Sequence, residues 1–202
     1  MKKPLVFLLL SVLLLALPLT CHGQINYYKS SLSNYVKIDS VNEATLDESG
    51  SRLVLILSRD ATFIKDSKTG KTVPFETFHL KLEVVSDNIE KEPQVKQDDV
   101  TKPLFNKKTV LAFVIGTEEF AFDKLFANIS FNKNAANFDI RKKLFADLLG
   151  KDAEHWSLRL QIHDDIVIVP VPQKVIEEWR EILAADMMQI TESDLPSGKG
   201  VK

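Results

Sequence analysis

Apolar and polar residues alternate along several stretches of the chain. Phe78, Leu80, Leu82 and Val84 alternate with His79, Lys81 and Glu83. Trp156, Leu158, Leu160 and Ile162 alternate with Ser157, Arg159, Gln161 and His163. A period of two places each apolar set on one face of a strand. Leu53 to Leu57 and Thr109 to Ile115 are apolar runs too short for helices, and they read as buried strands. Val36 and Ile38 mark another strand, with a turn at Asp47 to Gly50. Asp164 and Asp165 turn the chain so that Ile166 to Val169 runs back as a more buried strand. Lys68-Thr69-Gly70-Lys71 has the composition of a hairpin tip, with Gly70 free to take positive φ.

Helical spacing belongs to the second half. Ile140, Leu144, Phe145, Leu148 and Leu149 form one stripe, with Asp139 as the expected N-cap and Gly150 as the stop. Val175, Ile176, Trp179, Ile182, Leu183 and Met187 form another, with Pro172 in its first turn. Lys174 and Glu178 are expected as an i,i+4 pair on its outer face. Residues 118–129 fit both patterns. Phe122, Leu125, Phe126 and Ile129 make a helical stripe, whereas Phe120 and Phe122 alternate as in a strand. The similarity of Lys124–Ile129 to Lys143–Leu148 favours helix.

These elements give an α+β class: a mostly antiparallel sheet with two or three helices in the C-terminal half. One domain is expected over residues 24–190. Gln24 to Asn34 reads as a polar lead-in. Residues 86–108 are rich in charge and contain Pro93 and Pro103, which reads as a loop within the domain or a linker between two small ones. Residues 191–202 read as a disordered tail.

The first 23 residues change the picture. Lys2 and Lys3 precede a leucine-rich uncharged run from Leu5 to Leu17, followed by Pro18, Cys21 and Gly23. This order is that of a secretory signal peptide, cut before Gln24. Two alternatives stand beside it. Cys21 is acylated if the chain is a lipoprotein, although Pro18 and Thr20 occupy places where leucine and a small residue are favoured. An uncleaved anchor needs about 20 apolar residues, and Pro4 to Thr20 is shorter. No later segment is apolar enough to span a bilayer as a helix. Cleavage removes the only cysteine, so a thiol nucleophile, a thiolate metal site and a disulfide are all excluded from the mature chain. A bacterial envelope, secreted or periplasmic, fits these features better than a disulfide-stapled extracellular module.

The chain has 202 residues, with 26 Lys+Arg against 28 Asp+Glu and a net charge of −2. That balance gives no reason to expect a nucleic-acid partner. Gly70-Lys71-Thr72 resembles the end of a phosphate-binding loop, but Lys65 stands where the first glycine must be. No dinucleotide fingerprint, nucleophile elbow or His-Glu-x-x-His occurs, so no cofactor and no metal are expected. His163 and Asp165 are the weak catalytic candidates. Both fall at an expected hairpin end, where turn chemistry explains them equally well. His79, His155 and His163 are each available as a base, without a serine in a recognisable frame. Eight of the twelve phenylalanines lie between Phe105 and Phe145. Phe120, Phe122 and Phe126 are therefore weak candidates for an apolar ligand site, with core packing as the plainer explanation.

The reading that follows is an exported, non-catalytic binding or structural protein of the bacterial cell envelope, with an envelope protein or a small ligand as partner. The alternatives are an envelope hydrolase using a His/Asp pair, and an apolar-ligand carrier using the phenylalanine-rich half.

Overall fold

The structure is a computed structural model that describes residues 24–30, 34–46, 51–85, 105, 111–132, 134–151, 155–162 and 165–190. The expected signal peptide, the expected tail, and most of the charged segment at 86–108 lie outside the described residues.

Strands dominate. The first four, β1 (Gln24–Ser30), β2 (Tyr35–Thr45), β3 (Arg52–Lys65) and β4 (Thr72–Val85), form an antiparallel meander. β8 (Ala135–Ile140) pairs with β4, and β7 (Phe126–Asn132) pairs with β8, completing a six-stranded sheet in the order β1-β2-β3-β4-β8-β7. The second sheet has the order β10-β9-β5-β6, from β5 (Leu111–Ile115), β6 (Glu118–Ala121), β9 (Trp156–Ile162) and β10 (Asp165–Val171). Three helices complete the described fold: α1 (Phe122–Leu125), α2 (Lys142–Leu149) and α3 (Gln173–Ala184). The antiparallel sheets and the C-terminal bias of the helices match the expectation, but the class is closer to mainly β than to α+β.

Local chemistry explains the turn between β3 and β4. Asp66 accepts hydrogen bonds from the Lys68 and Thr69 amides, and Gly70 takes φ 68°, as expected for the hairpin tip.

Five expectations need correction. Ile166–Val169 runs back along β9, but it is not a more buried strand, since Ile166 and Ile168 are exposed. Residues 118–129 are not one helix. A single helical turn, α1, carries the chain from β6 in one sheet to β7 in the other. Pairing with β8, which lies later in the chain, decides the conformation of Phe126–Asn132 and overrides the helical stripe. Gln24–Ser30 is an edge strand, not a lead-in, and it sets Ile25 and Tyr27 opposite Ser40 and Ile38. Asp139 does not cap α2. It belongs to β8, and Arg141 takes the N-cap position without a side-chain cap. Glu178 does not lie on an outer face; it is 7% exposed and turned towards β2.

One hydrophobic cluster runs through both sheets and the helices. Its aromatic centre joins Phe113 of β5 to Phe122, Phe145, Trp156 and Trp179, with centroid distances from 4.8 to 6.2 Å. Trp179 of α3 is fully buried, so this helix links the inner face of the six-stranded sheet to the smaller sheet. Phe105 is buried in the same cluster.

Candidate functional site

The inner face of the six-stranded sheet is covered, so exposed chemistry lies on its outer face and edges. Register brings one polar row across all six strands: Asn26, Asp39, Ser58, His79, Asp139 and Asn128 are successive cross-strand neighbours. These residues occupy the polar phase of their strands, which the alternation at Phe78–Val84 already assigns to His79.

At the β4–β8–β7 end of the row the side chains are joined. His79 Nδ1 lies 2.9 Å from Asp139 Oδ1, and Asn128 Nδ2 donates to Asp139 Oδ2 at 2.7 Å. The amide of Asn128, and then His79, hold the Asp139 carboxyl below its usual range against a partial cost of burial. The imidazole is therefore oriented by a carboxylate, leaving Nε2 with no partner among the described residues. Beside this trio is a groove of ≈ 480 Å³, lined by Glu76, Thr77, Phe78, His79, Ala127, Asn128, Asp139, Ile140 and Lys142. Lys142 Nζ lies 3.4 Å from Glu76 and 4.9 Å from the centre of the Phe78 ring.

Ser58, His79 and Asp139 have the residue types of a nucleophile–base–orienter set. Their placement does not make one. Directly opposed residues on antiparallel strands stand only about 5 Å apart at Cα. With Nδ1 turned to Asp139, Nε2 is at the outer tip of the ring, while the short Ser58 side chain stays close to the sheet. Ser58 is 9% exposed and the His79 side chain 42%. No hydrogen bond joins the two among the described residues.

The rest of the face is electrically balanced. Lys37 pairs with Asp39 at 3.0 Å, and Lys81 with Glu83 at 2.6 Å. The Tyr35 hydroxyl donates to Asp60, and burial together with that carboxylate pushes its pKa up.

Of the weak candidates from sequence, His163 lies outside the described residues. Asp165 opens β10, and only its backbone is described. Phe122 and Phe126 are buried with rings 4.8 Å apart, packed also on Phe138 at 4.9 and 5.0 Å. Phe120 is half-buried under the Lys151 ammonium at 4.7 Å. Among the described residues no three His, Cys, Asp or Glu side chains cluster to hold a metal. No described helix is long and apolar enough to cross a membrane.

Sequence reasoning passed over the trio because its members come from three strands. It also passed over Arg59, Ser40 and Asn42, for which a signal existed. Arg59 follows Leu53, Leu55 and Leu57 in the apolar phase of β3, and Ser40 and Asn42 follow Val36 and Ile38 in that of β2. Polar groups in a buried phase need partners, and α3 supplies them.

Comparison with known proteins returned no match, either to a protein family, to a curated protein or to a solved structure.

Proposed function

We propose that the chain is an exported, non-catalytic binding protein of a bacterial cell envelope. Its contact region is the outer face and open side of the six-stranded sheet around His79, Asn128 and Asp139. The observation that carries this reading is the His79–Asp139 pair: an oriented imidazole at the mouth of a groove, with its serine neighbour held out of reach. Such a pair supplies one donor or acceptor to a ligand. It lacks the activated nucleophile that hydrolysis of an ester or amide requires. Export is supported by the order of Lys2, Lys3, the Leu5–Leu17 run and Gly23.

The test has two arms. The mature protein should begin at Gln24 by intact mass, and acylated Cys21 or a retained leader would overturn that part. Hydrolysis of nitrophenyl esters and phosphates should be the same for the native protein and for His79→Ala. A His79-dependent rate would replace the binding reading with the hydrolase.

A further inference from the structure

β8 covers only part of β4. It pairs with His79–Glu83, whereas Thr72–Phe78 pair with β3 alone among the described residues. Two hydrogen bonds fix which main-chain groups face the uncovered side. The Val84 amide donates to Asn134 on the β8 side at 2.8 Å, so even-numbered residues of β4 point that way. The Phe63 amide donates to Asn34 on the β2 side at 2.7 Å. Even-numbered residues of β3 therefore face β4 and meet its odd-numbered residues, which gives the same assignment. The open edge thus presents the amides of Thr72, Glu76 and Phe78 and the carbonyls of Thr72, Pro74 and Glu76. Pro74 falls in the phase where its missing amide faces the open side and costs no ladder bond.

The groove lies along this edge. Four consecutive residues of β4, Glu76 to His79, line it. Successive strand side chains point to opposite faces, so a space touching all four is beside the strand and not above it. Its end wall is where β8 stops at Ile140 and the chain turns into α2. It is the place β8 would fill if it ran on.

We propose, on the basis of the binding reading above, that this edge takes up an extended peptide segment from another protein as an added strand beside Thr72–Phe78, in line with β8. Main-chain pairing supplies affinity in this mode, and alternate side chains supply selectivity. Phe75 is 63% exposed and Val73 39% exposed on the outer face, so they favour an apolar or β-branched guest residue opposite them. The ionic groups at the groove are already paired, Lys142 with Glu76 and His79 with Asp139. A charged guest gains nothing there, and an uncharged strand-forming segment is preferred. A second copy paired antiparallel about the exposed Phe75 would set its Lys71 beside His79, where Asp139 already sits.

The mature protein should be panned against a displayed library of random dodecapeptides. Enriched peptides should be rich in Val, Ile, Thr and aromatic residues. On adding one, amide exchange at Glu76 and Phe78 should slow by about tenfold or more, with Phe75 and Thr77 unchanged. Phe75→Asp should weaken binding about tenfold without lowering the melting temperature. No enrichment, unchanged exchange at Glu76 and Phe78, or a dimer that buries this edge would each overturn the proposal. Failure here with a catalytically inert His79 removes this inference alone, whereas His79-dependent hydrolysis removes the reading beneath it.

Discussion

Arg59 Nη1 donates to the main-chain carbonyl of Ala185 at 2.7 Å, joining the middle of β3 to the end of α3 across 126 positions of chain. The same nitrogen reaches the carbonyls of Ile182 at 2.8 Å and Leu183 at 3.2 Å, while Nη2 donates to Glu76 at 2.6 Å. A helix C-terminus carries unsatisfied carbonyls and partial negative charge, so a buried guanidinium there is both paired and neutralised. In the middle of α3, Ser40 Oγ donates to Glu178 Oε2 at 2.7 Å and Asn42 Nδ2 donates to the same atom at 3.1 Å.

Arg59→Met should destabilise the fold by about 3 kcal/mol, because it orphans buried carbonyls and leaves Glu76 half-paired. Urea melts of the two proteins check this. A change under about 0.5 kcal/mol, typical of surface sites, would mean the clamp contributes nothing.

Trp179→Ala should cost about 3–5 kcal/mol, as expected for a buried aromatic that touches both Phe113 and Phe145. Arg180 lies off the apolar stripe, yet its Nε donates to the Leu149 carbonyl at 2.8 Å and ties α3 to α2. Arg180→Ala should therefore cost about 1 kcal/mol. Denaturant midpoints at equal slope would rank the two.

Proline substitution along β4 should depend on phase. Thr77→Pro removes an amide from the β3 ladder and should cost about 3 kcal/mol. Thr72→Pro removes one that faces the open side and should cost less than about 1 kcal/mol. Equal losses in thermal melts would show that the hydrogen-bond phase of β4 is the reverse of the one described.

The Asp139 carboxyl is held below its usual range in the folded protein. The folded state thus binds this proton less readily than the unfolded chain does. Its contribution to stability is present above the ordinary carboxylate range and is lost as pH falls through the folded value. Asp139→Asn removes that dependence, so the gap in melting temperature between native and variant should narrow on acidification below about pH 4. The carboxylate is partly exposed, so the gap should be small even at neutral pH. A gap that widens with acid would reverse the assigned direction.

Much of the strand framework was legible in the sequence, because alternation at Phe78–Val84 and Trp156–Leu160 is a local signal that burial then enforces. The Gly70 hairpin was legible for the same reason: its chemistry lies within a few neighbouring residues. Residues 118–129 were not, since a strand whose partner lies later in the chain leaves no local mark. The polar trio was less legible still. His79, Asn128 and Asp139 are neighbours only through the registers β4–β8 and β7–β8, and no spacing in the chain encodes a register. Arg59 and Ser40 were detectable as polar residues in apolar phases, but the helix that satisfies them could not be named from their own surroundings.

The clamp at the middle and the C-terminal end of α3 bears on the order of assembly. Its partners on β2 and β3 are made early in synthesis, and its own residues come at the far end of the domain. Until α3 arrives, the meander carries a guanidinium that has Glu76 but lacks its carbonyl partners, and two polar side chains that lack Glu178, on the face it must bury. Closure of contacts this distant in sequence is intrinsically slow. A chain built this way should stay open while it is being made and commit only when nearly all of it is present. That property would suit the export proposed above, in which a chain is threaded through a narrow pore before it folds.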